Sequence, residues 1–153
     1  MNNNDILRRI RYAFDFGDSK MMELFELGGM EVSRAEVSDW MKKDDHEEFQ
    51  KLSDYKLAVF LNGLIIDKRG KKEGVELIAE KRLDNNLIFR KLRIALNFKD
   101  EDILDVLKLS DVTISKHELS AFFRNPNQTQ YRPCQDQILR NFIQGLQKKF
   151  RGI

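Results

Sequence analysis

The sequence predicts an all-α protein made of two homologous four-helix repeats packed with pseudo-two-fold symmetry. Three observations carry that expectation. The opening stretch Asn3-Asn4-Asp5-Ile6-Leu7-Arg8-Arg9-Ile10-Arg11-Tyr12-Ala13 returns eighty-two positions later as Asn85-Asn86-Leu87-Ile88-Phe89-Arg90-Lys91-Leu92-Arg93-Ile94-Ala95. The correspondence runs without a gap from 3–70 onto 85–152. About 19 of those 68 pairs are identical, where unrelated sequences of ordinary composition give roughly 4. In both copies the apolar residues recur at helical spacing, and helix-capping residues stand at matching places. The organisation is therefore repeat one at 1–70, a linker at 71–84 and repeat two at 85–153.

The elements follow in order. Helix one is expected from Asn4 to Asp15, with Asn3 or Asn4 as its N-cap and Gly17 ending it. Ile6, Leu7, Ile10, Ala13 and Phe14 share one face; Arg8, Arg11 and Asp15 fall on another. Asp18 opens helix two, about residues 19–27, and Gly28-Gly29 stops it. Repeat two carries Ser110-Asp111 there, so the turn does not demand glycine in both copies. Helix three begins at Ser33, where Ser33 with Glu36, and Ser115 with Glu118, make two capping boxes. A polar connection follows, alike in length but not in chemistry between the copies. Helix four starts at Ser53-Asp54 and runs to about Lys68. Gly63 and Gly145 sit inside it at a cost of about 1 kcal/mol each relative to alanine. Keeping that cost twice points to close passage of a neighbouring helix rather than to a ligand. The linker is short and charged, with partial helix expected from Val75 to Lys81.

Composition narrows the function classes. The chain of 153 residues is 34% charged and 41% hydrophobic, with two prolines and eight glycines. No apolar run approaches the roughly 20 residues needed to cross a bilayer. The start Met-Asn-Asn-Asn-Asp carries no charged-then-apolar leader, and Cys134 is the one cysteine; a cytoplasmic protein without membrane contact is expected. The net charge of +2 divides unevenly, near −3 for 1–70 and +5 for 85–153, with the linker neutral.

Enzyme chemistry finds no purchase. His46 and His117 stand alone and unrepeated, no His/Cys/acid cluster has metal-ligand spacing, and no glycine-rich phosphate loop or nucleophile motif occurs. Cys134 aligns with Leu52 and reads as a small apolar filler. No catalytic residue, metal or cofactor is expected.

Binding is the leading class. Helix two, a turn and helix three make a helix-turn-helix-like corner, although the Gly28–Val32 turn is long for that motif. Basic residues recur on helices one and three. The candidate nucleic-acid contacts are Arg8, Arg11, Arg34 and Lys42, with Arg90, Arg93, Lys116 and Arg124 as counterparts. The competing reading pairs these arginines with the equally persistent acids Asp18, Glu36 or Asp54. A protein–protein adaptor or homodimer is the alternative class: Met21, Met22, Met30, Phe25 and Trp40 suit an adaptable groove as well as a core.

The repeated Asn-Asn-x-Ile-x-Arg-x-x-Arg-x-Ala opening, Phe60-Leu61-Asn62-Gly63-Leu64-Ile65 and the matching Phe142-Ile143-Gln144-Gly145-Leu146 resemble the bacterial YehS-like family. The resemblance spans essentially the whole chain. It implies a small cytoplasmic protein with a duplicated domain of unknown function, and it transfers no activity.

Overall fold

The computed structural model describes residues 1–72, 74 and 76–153. Eight α-helices and no strand occur among the described residues. In repeat one they are α1 (Asn3–Phe14), α2 (Asp18–Leu27), α3 (Arg34–Met41) and α4 (Asp54–Arg69). Repeat two holds α5 (Asn85–Leu96), α6 (Asp100–Leu109), α7 (Lys116–Phe122) and α8 (Asp136–Arg151). Both expected capping boxes at helix three are present: Ser33 and Glu36, and Ser115 and Glu118, satisfy each other's backbone amides at 3.0–3.1 Å.

Two local expectations are corrected. The N-cap of α1 is Asn2, whose side chain accepts from the Asp5 amide at 2.8 Å. Asn3 and Asn4 lie inside the helix, where their amides are free to reach other segments. Gly17 does not end α1; it is the N-cap of α2 with an ordinary φ of −81°. The helix closes instead on Asp15 at φ 56°, as α5 closes on Asn97 at φ 55°. Short polar side chains tolerate this left-handed backbone by bonding locally.

The two repeats do not form two separate bundles. Within each, helix two lies across helix four (α2 on α4, α6 on α8), and helix three leans on helix two. The first helix, however, packs mainly on the fourth helix of the other repeat: α1 on α8, α5 on α4. One continuous core results, from Leu7, Phe25 and Phe60 through Phe89 to Phe142. The pseudo-two-fold is not perfect. α4 buries nine successive residues, Leu57 to Ile65, whereas α8 buries one stripe of Leu139, Phe142, Ile143, Gly145 and Leu146. The linker forms no helix over residues 76–82, where helix to Lys81 was expected, and bends at 81–82; Val75 lies outside the described residues.

The repeated glycine of helix four has a physical cause. A Cβ on Gly63 would collide with the Leu24 carbonyl of α2, and one on Gly145 with the Val106 carbonyl of α6. In repeat one the contact is reciprocal, because a Cβ on Gly28 would strike the Val59 carbonyl. Repeat two has Ser110 at that place. Its hydroxyl donates to the Asn141 carbonyl at 2.8 Å, turning a tight backbone contact into a hydrogen bond. The next position is left-handed in both copies, Gly29 at φ 105° and Asp111 at φ 63°.

Gly63→Ala is expected to destabilise by about 1–3 kcal/mol, the usual cost of overpacking, read from urea denaturation. A loss below about 0.5 kcal/mol, within the range of neutral surface changes, would mean that α2 and α4 separate freely.

Candidate functional site

The site is built from the Asn-Asn pair that opens each repeat. The Asn4 amide donates to the carbonyls of Trp40 and Gln50 at 2.9 and 2.8 Å, and its oxygen accepts from Leu52 N–H at 3.0 Å. Asn86 repeats this with Phe122, Arg132 and Cys134 at 3.0, 2.8 and 2.8 Å. Asn3 reaches the Leu52 carbonyl and Asp54, and Asn85 reaches the Cys134 carbonyl and Asp136. Both central amides are buried, so each satisfies three backbone groups that water cannot reach. They stitch helix one to the end of helix three and to the segment returning to helix four. The polar connection is thereby closed into a held loop, 42–52 in one repeat and 124–134 in the other.

The candidate arginines of helix one divide into two pairs. Arg11 donates to the Phe16 carbonyl at 3.0 Å and to Asp18 at 2.6 Å. Arg93 pairs with Asp100 at 2.9 Å and lies 4.7 Å over the Phe123 ring. This pair takes the ionic role weighed against nucleic-acid contact, with Asp18 and its counterpart rather than Glu36 or Asp54. Arg8 and Arg90 instead reach the carbonyl end of helix three. Arg8 donates to the Lys42 carbonyl at 2.6 Å and also holds Asp5; Arg90 donates to the Phe123 carbonyl at 2.9 Å.

The candidates on helix three differ by repeat. Arg34 reaches Asp18 at a long 3.4 Å. Lys116 meets Glu101 at 2.9 Å with both side chains 65% exposed, where water screens most of the attraction. Lys42 is clamped between Asp39 and Glu48, both at 2.7 Å. These hydrogen bonds, Asp39 first, raise its ammonium above the ordinary value. Arg124, its counterpart, has no such clamp: its Nε is buried without a partner among the described residues.

Three arginines converge where the end of the linker meets repeat two. Arg82, Arg90 and Arg124 line one open cleft of about 420 Å³ together with Phe122 and Tyr131. No carboxylate pairs with any of the three among the described residues, although Asp84 stands on the cleft wall. Burial raises the Tyr131 phenol above its ordinary value. A second cleft, about 480 Å³, gathers Arg8 and Arg11 with Arg151 and Asp15. Arg34, Arg93 and Lys116 line neither. Sequence reasoning passed over Arg82 and Tyr131. The available signal was that the acids near Lys42, namely Asp39 and Glu48, become Ala121 and Gln130 beside Arg124.

No group of three His, Cys, Asp or Glu side chains suited to a metal ion occurs among the described residues. No helix of the described residues is long and apolar enough to cross a membrane. Cys134 is buried, and burial pushes its thiol up to about 12.

Two outcomes are expected. Asn86→Ala strands backbone groups and should cost about 1–3 kcal/mol in urea denaturation; an unchanged midpoint would show that water replaces the amide. Cys134 should resist iodoacetamide in the folded protein at pH 8 and react once urea unfolds it. The folded state holds the thiol proton more tightly, so stability falls only as pH climbs from 9.0 toward about 12. Rapid alkylation of the native protein would contradict the burial.

With this geometry in view, comparison with known proteins is direct. No solved structure matches the chain. The Escherichia coli (strain K12) protein described as "Uncharacterized protein YehS" is 40% identical over 147 residues, covering 95% of this chain and 94% of that protein. The two structural repeats coincide with two matches to one family, at 3–70 and 85–152. The chain thus belongs to the family described as "Protein of unknown function (DUF1456)" and carries its domain twice.

Proposed function

We propose that the protein is a non-enzymatic cytoplasmic binding module that takes a nucleic-acid strand at the arginine cleft of repeat two. The observation that carries the reading is an asymmetry of charge pairing at equivalent positions. Lys42 is neutralised by Asp39 and Glu48, and Arg8 by Asp5. Around their counterparts Arg124 and Arg90 the positions of Asp39, Glu48 and Asp5 hold Ala121, Gln130 and Leu87, so those carboxylates are gone. At these two positions repeat one pairs its basic groups with carboxylates, and repeat two leaves Arg90 and Arg124 without one among the described residues.

The chemistry of the cleft supports an anionic ligand with flat rings. Planar guanidinium groups match phosphate oxygens by two-point hydrogen bonding. Phe122 and Tyr131 lie on the same cleft, and aromatic rings beside arginines favour unpaired bases over duplex. The positive balance of residues 85–153 acts in the same direction. On this reading Arg90 and Arg124, joined by Arg82, contact the strand, with Lys116 able to leave its exposed partner. Arg8, Arg11, Arg34, Lys42 and Arg93 serve the fold.

The test is fluorescence anisotropy with a labelled single-stranded oligonucleotide over a salt series. Affinity should fall steeply with salt, and Arg90→Ala or Arg124→Ala should each reduce the log–log slope by about 1. Lys42→Ala should leave the affinity unchanged. Absence of binding at low salt, or equal weakening by Lys42→Ala, would refute the assignment.

A further inference from the structure

A second cavity lies where the linker crosses α4, and it is unrelated to the arginine cleft. It holds about 290 Å³, at the small end of ligand pockets. Along α4 it is bordered by Asn62, Ile65, Ile66 and Arg69, one helical stripe spanning about 10 Å. Opposite stand Leu27, Leu77 and Ile94, which are 37%, 38% and 46% exposed and so among the large apolar side chains left to solvent.

The chemistry changes along that stripe. At the open end Arg69 is joined by Lys71 and Lys72, with Glu76 the only acid on the wall among the described residues. The middle is aliphatic. At the closed end Asn62 is 1% exposed; its oxygen accepts from Lys91 Nζ at 2.6 Å, while its Nδ2 has no acceptor among the described residues. Lys91 is itself buried and ion-paired with Glu80 at 2.9 Å, so its charge is answered within the chain. The orphaned amide hydrogens are the unanswered group.

Repeat two supplies the contrast. Where this cavity has Ile65 and Ile66 of α4 and Ile94 of α5, the pseudo-two-fold places Gln147 and Lys148 of α8 and Tyr12 of α1. There Lys148 donates to the Leu109 carbonyl at 3.0 Å, and Arg151 donates to the Tyr12 carbonyl at 3.1 Å and covers the Tyr12 ring at 4.5 Å. The equivalent place is thus bonded across by the protein's own side chains. Apolar walls were kept only beneath the linker.

We infer that this cavity binds a medium-length aliphatic carboxylic acid, its carboxylate at Arg69, Lys71 and Lys72 and its chain along Ile65, Ile66 and Ile94. The inner end favours a tail carrying an acceptor oxygen, which would engage the free amide of Asn62. A cationic head would meet three like charges at the rim, and a wholly apolar ligand would leave Asn62 unanswered.

Thermal denaturation with added octanoate, 8-hydroxyoctanoate and octylamine tests this on the intact protein. Octanoate should raise the melting temperature saturably, 8-hydroxyoctanoate should bind at least as tightly, and octylamine should not bind. Ile94→Tyr, which narrows the cavity, and Arg69→Ala, which removes a rim charge, should each weaken octanoate about tenfold; both positions are exposed, so the fold should survive. The inference is overturned if octanoate has no saturable effect, if octylamine binds equally, or if neither variant alters the response. An 8-hydroxyoctanoate affinity tenfold below that of octanoate would overturn the role given to Asn62.

Discussion

The buried amide near the start of each repeat is the constraint on which the rest of the structure depends. Asn4 and Asn86 each satisfy three backbone groups drawn from the end of helix three and the strand-like return toward helix four. The loop between them closes its own turns, and one further backbone bond in each repeat, Gln50 to Asp39 and Arg132 to Ala121, joins the return to helix three. An amide suits the place because it both donates twice and accepts. An aspartate at the same position would have no hydrogen to give to the two carbonyls. Everything beyond helix three, including the location of Lys42 and Arg124, follows from that anchor.

The second constraint is the near contact of backbones where helix two crosses helix four. It is met by glycine on α4 and α8, but on the partner helix the two repeats diverge. Gly28 provides clearance; Ser110 provides a hydroxyl that bonds the carbonyl it faces. Either solution keeps the helices close while leaving the buried carbonyl in a tolerable environment. Because α1 and α5 then lie on the opposite repeat's fourth helix, the halves share one core and are tied into one cooperative body.

With the scaffold common to both halves, their differences carry the functional argument. Asp39 and Glu48 of repeat one give way to Ala121 and Gln130, so a lysine is clamped in one copy and an arginine has no carboxylate among the described residues in the other. Repeat one keeps Ile65 and Ile66 of α4 on the cavity wall where repeat two bears Gln147 and Lys148. Two features result: a cleft where Arg82 meets Arg90 and Arg124, and an apolar cavity where α4 meets the linker and Ile94.

How far the residues alone lead depends on the range of the interaction concerned. The duplication, the eight helices and the capping boxes at Ser33 and Ser115 were legible, because periodicity and caps act within three or four residues. The clearance at Gly63 and Gly145 was legible too, since an unfavourable residue retained twice implies a packing reason. Asn3 and Asn4 were misread as caps because their true partners lie 36 to 51 residues away. The arginines were legible as a repeated set but not as two kinds, for only folding brings Arg11 to Asp18 and Arg8 to the end of α3. The convergence of Arg82 with Arg90 and Arg124, and the cavity between α4 and the linker, were decided by tertiary structure alone. The sequence by itself determined helices and symmetry, whose causes are local; which charges cancel and which remain was settled by distances that only the folded chain defines.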